Sequence, residues 1–296
     1  MKDILNSFWD TEKINENQWE ETAQGLNEYI EKEDWTLINF EDFDAVESVA
    51  FLDGIVRLDG EIFHKETKAR IRLFSLASGV CEMKNGVYND FEAFKSIKTK
   101  KIAIPDKDLP KKYIIVRESR YEITSKDEDH LVLLKQLEYE SLMDYKERSA
   151  TRLIIWDGAL PIVFSGIDGK IICGIIKSHR KYFVSPQNLE LLYEIKPFQR
   201  TPIIHYSNQE LKRFYYTWYT TLNEDITGLV RVETLADMDV KEASKLANNV
   251  CAILRRFASS PIYEQRAPQN LAPVSALESY LRSYLGHYFF DSPIFA

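Results

Sequence analysis

Cysteine is scarce. The 296 residues hold only Cys81, Cys173 and Cys251. None forms a C-x-x-C pair, which argues against a zinc ribbon. Cys173, inside the apolar run IICGII, and Cys251 read as small buried hydrophobes, in keeping with a reducing cytoplasm. Glycine (11) and proline (10) are also few, which excludes collagen-like and disordered classes. No apolar run approaches the ~20 residues that cross a bilayer. The N-terminal MKDILNSFWDTEK is acidic, lacks a long apolar centre, and reads as no signal peptide. There is no G-x-G-x-x-G after a strand, no Walker loop, no G-x-S-x-G elbow and no H-E-x-x-H. The five histidines are scattered. A cytoplasmic protein without a membrane segment is expected.

What is present suits a globular fold. Hydrophobic residues make up 45%, aromatics 12% and charged residues 28%, enough for one large domain or two small ones. The net charge is −8, which by itself argues against nucleic acid, since phosphate contacts need Lys and Arg. The charge is uneven, however. Residues 1–48 hold 14 acids and 3 bases, a net of −11, and the rest holds 35 bases and 32 acids, a net of +3. The division expected is an acidic helical segment over 1–47 and a mildly basic domain over 48–296.

Trp19, Ala23, Leu26 and Ile30 recur at helical spacing and predict a helix over 15–33. SVAFLDGIVRLDGEIF predicts a buried strand, a turn region and a second strand. A further strand follows in KARIRLFSLASGVCEM. The basic stretch 95–112 reads as a surface connection with a short strand at Ile102–Ile104. Helices are expected at 128–147, 240–257 and 274–285, and a short one from Pro186 to Glu194. LIIW, KIICGIIK, TPIIHY and GLVRVET read as strands. Strands alternating with helices after a starting meander give an α/β class with a mixed sheet.

Two Asp-Gly pairs close apolar runs, Asp53-Gly54 after VAFL and Asp157-Gly158 after LIIW. A buried Asp needs a partner, a hydrogen bond or a metal. Two of them on neighbouring strands would suit a hard divalent cation such as Mg²⁺ or Mn²⁺. Two ordinary turns are the alternative. On the helix at 128–147, Leu131, Leu134, Leu142 and Tyr145 share one face, with Glu138 in its middle. Glu138 would either join the same metal or form a buried salt bridge, to Arg152 or Lys135. Lys177, His179, Arg180 and Lys181 follow a buried strand. Lys177 is placed to neutralise charge on a phosphate, and a solvated strand end is the alternative. Arg266, Gln269 and Asn270 crowd a loop before the last helix, where they would grip a phosphate backbone or cap the helix.

In order, the stretches FLDGIVRLDGEIF, RLIIWDGAL, GIIKSHRKYF, QRTPIIHY, FYYTWY, GLVRVE and RAPQNLAPVSALESYLRSYLG run from about Ser48 to the C-terminus. In this set the chain resembles the bacterial branch of the NurA nuclease-domain family. The resemblance implies a ribonuclease H-like fold, with a mixed central sheet flanked by helices. It also implies Mn²⁺- or Mg²⁺-dependent cleavage of DNA, a homodimer, and work with a HerA-type hexameric ATPase in end resection or anti-phage defence. The family's acids map onto Asp53 and Asp157, and its K-x-H onto Lys177 and His179. Glu264 stands in Glu264-Gln265 where many relatives have an acidic-Pro pair, and is the expected fourth ligand. Ser275 lies nearest the His of archaeal relatives. The site expected is therefore Asp53, Glu138, Asp157 and Glu264 on metal, with Lys177 catalytic. Arg57, His179, Arg180, Arg266 and Gln269 are expected on DNA. A non-catalytic protein that binds DNA and an ATPase, with a relic site, is the rival.

Overall fold

A computed structural model describes residues 26–41, 48–84, 90–160, 166–179, 182–208, 213–223, 228–259, 270–286 and 294–295. The chain divides into two compact units interleaved in sequence. The first is Met1–Phe51, Met83–Val87 and Thr151–Ser275; the second is Leu52–Glu82, Tyr88–Ala150 and Ala276–Ala296.

The strands in chain order are β1 (Leu26–Asn27), β2 (Ile38–Asn39), β3 (Ser48–Phe63), β4 (Arg70–Lys84), β5 (Phe94–Pro105), β6 (Tyr113–Val116) and β7 (Ser119–Ile123). They continue as β8 (Leu153–Asp157), β9 (Ile171–Ile176), β10 (Gln199–Arg200), β11 (Ile204–Asn208), β12 (Arg213–Thr221), β13 (Leu229–Leu235) and β14 (Ile294–Phe295). The α-helices are α1 (His130–Arg148), α2 (Val240–Phe257) and α3 (Ala272–Leu285).

In the first unit the strand order is β1-β11-β12-β13-β9-β8, with β10 joining β12 to β2. The pair β8 and β9 is parallel, while β13–β9, β12–β13 and β11–β12 are antiparallel. The sheet is therefore mixed. LIIWD and IICGII are continuous apolar runs, the pattern of strands covered on both faces. The aromatics and β-branched threonines of β12, RFYYTWYTT, suit a half-buried pleated surface, and this strand is buried from Tyr215 to Thr221. The amphipathic helix α2 packs on β12. Asp239 caps it by accepting from the Glu242 amide at 2.8 Å.

Residues 26–33 do not continue the expected helix. Leu26 and Asn27 pair with Tyr206 and His205 as β1. Leu26, Trp35 and Leu37 pack on a core of Val184, Leu192, Ile195, Ile204, Tyr219 and Leu229. Apolar contacts with this sheet outweigh a helical spacing that rested on few residues. The part of the expected helix before residue 26 lies outside the described residues.

The second unit runs β3-β4-β5-β7-β6, with β14 beside β3. Here β4–β5 and β6–β7 are antiparallel, while β5–β7 and β14–β3 are parallel. The expected turn inside SVAFLDGIVRLDGEIF is absent: all sixteen residues form one strand. Within this strand Asp59 is a buried acceptor. It takes hydrogen bonds from Ser75 Oγ at 2.5 Å and Tyr121 OH at 3.0 Å, and pairs with Arg57 Nε at 2.7 Å. The expected surface connection at 95–112 is largely the twelve-residue β5. Its lysines are neutralised across the sheet and by α1, as in Lys98–Asp144 and Lys100–Glu122.

The helix α1 starts at Asp129, which accepts from the Leu131 amide at 2.8 Å. It packs Leu133, Leu134 and Leu137 on Phe74, Leu76, Ile102 and Ile104. Leu131, expected on that face, is 52% exposed; Leu133 makes the contact at that end. No helix among the described residues is long and apolar enough to cross a membrane.

Candidate active site

In the first unit, Asp157 is the last residue of β8 and Lys177 directly follows β9. Because the two strands are parallel neighbours, both side chains leave from the same, carboxyl end of the sheet. Lys177 Nζ meets Asp157 Oδ2 at 2.6 Å, both about four-fifths buried. The backbone then turns sharply. Gly158 has φ +113°, a conformation that disfavours any residue with a Cβ, and its amide donates to Ile175 O at 2.8 Å. The turn lies close over β9. A Cβ on Gly174 would stand 2.8 Å from Gly158 O and 3.0 Å from Leu160 N.

A second contact holds this turn. The Leu160 amide donates to Glu233 Oε1 at 2.8 Å. Glu233 Oε2 accepts from Arg231 at 2.7 Å and from Tyr206 OH at 2.9 Å. Burial works against the charge of Arg231, but Glu233, Tyr206 and Tyr219 together outweigh it and raise the pKa. Burial, with Glu233 adding to it, lifts Tyr206 well above its ordinary value. Sequence reasoning assigned these residues no role. The only signal was a charged pair, Arg231 and Glu233, inside the otherwise apolar LVRVE.

In the second unit, Asp53 lies within β3 rather than at a strand end, and is 7% exposed. Its carbonyl oxygen accepts from Ser78 Oγ at 3.2 Å. Gly54 was expected to let the chain turn; here it lets α1 approach. A Cβ there would stand 2.8 Å from Leu134 Cδ1 and 3.0 Å from Glu138 Oε1. Thus α1 sets the Glu138 carboxylate over the backbone beside Asp53. Glu138 is 1% exposed, and its Oε2 pairs with Lys135 Nζ at 2.6 Å. Of the two salt-bridge partners considered from sequence, Lys135 is the one engaged.

Two residues expected on DNA are engaged otherwise. Arg57 pairs with Asp59 and donates to the carbonyls of Leu285, at 3.4 Å, and of Gly286. Its guanidinium thus meets the negative end of α3. His179 Nε2 lies 3.1 Å from Leu229 O, and the ring packs beside Tyr182 and Tyr219. Burial, reinforced by Arg231, lowers its pKa. Arg180, Glu264, Arg266 and Gln269 lie outside the described residues, as does Lys181. Asn270 Nδ2 donates to Ser275 Oγ at 2.6 Å across the first turn of α3.

Mg²⁺ is commonly held by one or two carboxylates together with substrate phosphate and water; Asp157 in the first unit and Asp53 in the second are each a carboxylate of that kind. Among the described residues, no group of three His, Cys, Asp or Glu side chains is gathered for a metal ion. The three cysteines are free and buried; burial pushes the Cys173 and Cys81 thiols up to about 12. They are poor candidates for thiolate chemistry.

No protein-family model matches the chain, and no curated protein matches it. Among solved structures it is similar to the NurA nuclease from Sulfolobus solfataricus. The two share 14% identity over 90% of this chain and 88% of that one, with a TM-score of 0.42.

Proposed function

We propose that this chain is a Mn²⁺- or Mg²⁺-dependent nuclease that hydrolyses phosphodiester bonds in DNA. The observation that carries the reading is Asp157 beside Lys177 at the carboxyl ends of two adjacent parallel strands. Open α/β sheets receive ligands at that end. A hard-oxygen donor and a fixed ammonium together suit a cation and a phosphate. Asp53 and Asp157 would hold the metal, with Glu138 and Glu264 as the further proposed ligands. A bound divalent ion supplies an activated water and neutralises phosphate charge. Lys177 would meet the negative charge that develops on the phosphoryl oxygens. Arg180, Arg266 and Gln269 would align the strand through its backbone. The motif resemblance supports a homodimer of ribonuclease H-like subunits working with a HerA-type hexameric ATPase.

One observation favours a second reading. Asp157 and Glu138 are each already neutralised by a lysine, as in a relic site of a protein that only binds DNA and an ATPase. Cleavage of single- and double-stranded DNA with added Mn²⁺ or Mg²⁺ separates the two. The nuclease reading expects cleavage that falls at least 100-fold in Asp157→Ala and in Asp53→Ala. No cleavage by the folded wild-type chain, with or without the ATPase, would support the second reading.

A further inference from the structure

The GLVRVE stretch belongs to the motif set but holds no residue of the proposed site, and its charges lie on a central strand. Arg231 and Glu233 are 6% and 3% exposed. A buried ion pair is costly to desolvate and is weak evidence for stability alone. The geometry gives this one another role. Glu233 divides its oxygens: Oε2 takes Arg231 and Tyr206, while Oε1 takes the Leu160 amide, three residues beyond Asp157. Arg231 is fixed in turn by Thr217 Oγ1 at 3.3 Å and by the Phe183 ring, 4.2 Å from its Cζ. Opposite, the bare Gly174 leaves room for the turn, and the Gly158 amide is tied to Ile175 O.

We infer that Glu233 is a positioning residue that clamps the 158–160 turn through the Leu160 amide and so fixes where Asp157 presents its carboxylate. The inference rests on the reading of Asp157 as a metal-holding residue. Arg231 neutralises the buried Glu233 carboxylate from its other oxygen and is not itself part of the clamp. Partners of this kind, which orient a ligand without touching the metal, typically change metal affinity 10–100-fold when lost.

The test compares two double variants of the full chain, both without the buried charges. R231M/E233L removes the acceptor for the Leu160 amide. R231M/E233Q restores it with an amide oxygen. Replacing a buried pair by residues of similar volume is often neutral for stability, so R231M/E233Q should unfold near the wild-type midpoint; R231M/E233L should unfold below it, because the Leu160 amide and Tyr206 OH lose their acceptor. The readouts are Mn²⁺ affinity, from the electron paramagnetic resonance signal of free Mn²⁺, and hydrogen exchange at the Leu160 amide. The clamp predicts that R231M/E233L loses affinity 10–100-fold and exchanges Leu160 faster, while R231M/E233Q stays within a few-fold of wild type in both. Equal behaviour of the two doubles would overturn it.

Gly174→Ala reaches the same turn without touching the pair, and is the check if R231M/E233L does not fold. It should lower Mn²⁺ affinity by a similar factor, and unchanged affinity would count against the clamp. If Asp157→Ala leaves Mn²⁺ binding of the wild-type chain unaltered, the metal reading of Asp157 fails. The Leu160 exchange comparison then still decides whether the turn is clamped.

Discussion

Glu31 and Arg200 show what one residue can fix. Arg200 is fully buried and donates to both carboxylate oxygens of Glu31, at 2.9 and 2.7 Å, while Glu31 also accepts from the Ile203 amide at 2.7 Å. Burial alone would raise the Glu31 pKa; the guanidinium outweighs it and holds the carboxyl below its ordinary 4.5. A folded pKa below the unfolded one contributes stability above the unfolded value. That contribution is therefore present above about pH 4.5 and is lost as pH falls through the folded pKa. Glu31→Ala should cost about 3–5 kcal/mol in urea denaturation at pH 7, because it leaves a buried guanidinium without its counter-ion. The loss relative to wild type should shrink as pH drops below 4.

Among the elements, the fit of α1 on β3 depends on the missing side chain at Gly54. Gly54→Ala should cost about 1–3 kcal/mol, the usual range for overpacking, since Leu134 and Glu138 must both give way. A thermal midpoint unchanged within 1–2 °C would contradict this close approach. Most elements were legible in the sequence because their period was long and clean. The strands LIIWD, IICGII and GLVRVET and the three α-helices among the described residues stand close to where patterning predicts them. The misreadings share a cause in partners that arrive from far along the chain. The Asp53-Gly54 pair reads locally as a strand end, but β3 runs on through it, and farther along this strand Ser75 and Tyr121 reach Asp59 as a buried acceptor. The lysines of β5 read as solvated, and only Glu122 and Asp144 make them part of a sheet. Glu138 was legible as a buried acid from its place on the helical face, whereas the Glu233 contact to Leu160 spans 73 positions and leaves no local trace.

At the scale of the whole molecule, two carboxylates of the acidic N-terminal region, Glu28 and Glu31, are tied into the first unit. Glu28 Oε1 accepts from the Ser185 amide at 2.9 Å and Glu31 holds Arg200, so deleting residues 1–33 should destabilise the first unit, seen as a lower urea midpoint. An unchanged midpoint would show that these contacts carry little. The charge of this region reflects, in part, carboxylates needed by buried partners, while the remaining chain carries a net of +3. The most direct test of the account is metal-dependent cleavage of DNA by the purified full-length chain, with Asp157→Ala beside it. The account predicts Mn²⁺-dependent cleavage by the wild-type chain and at least a 100-fold loss in a variant that folds normally. Cleavage at the wild-type rate by folded Asp157→Ala would contradict it.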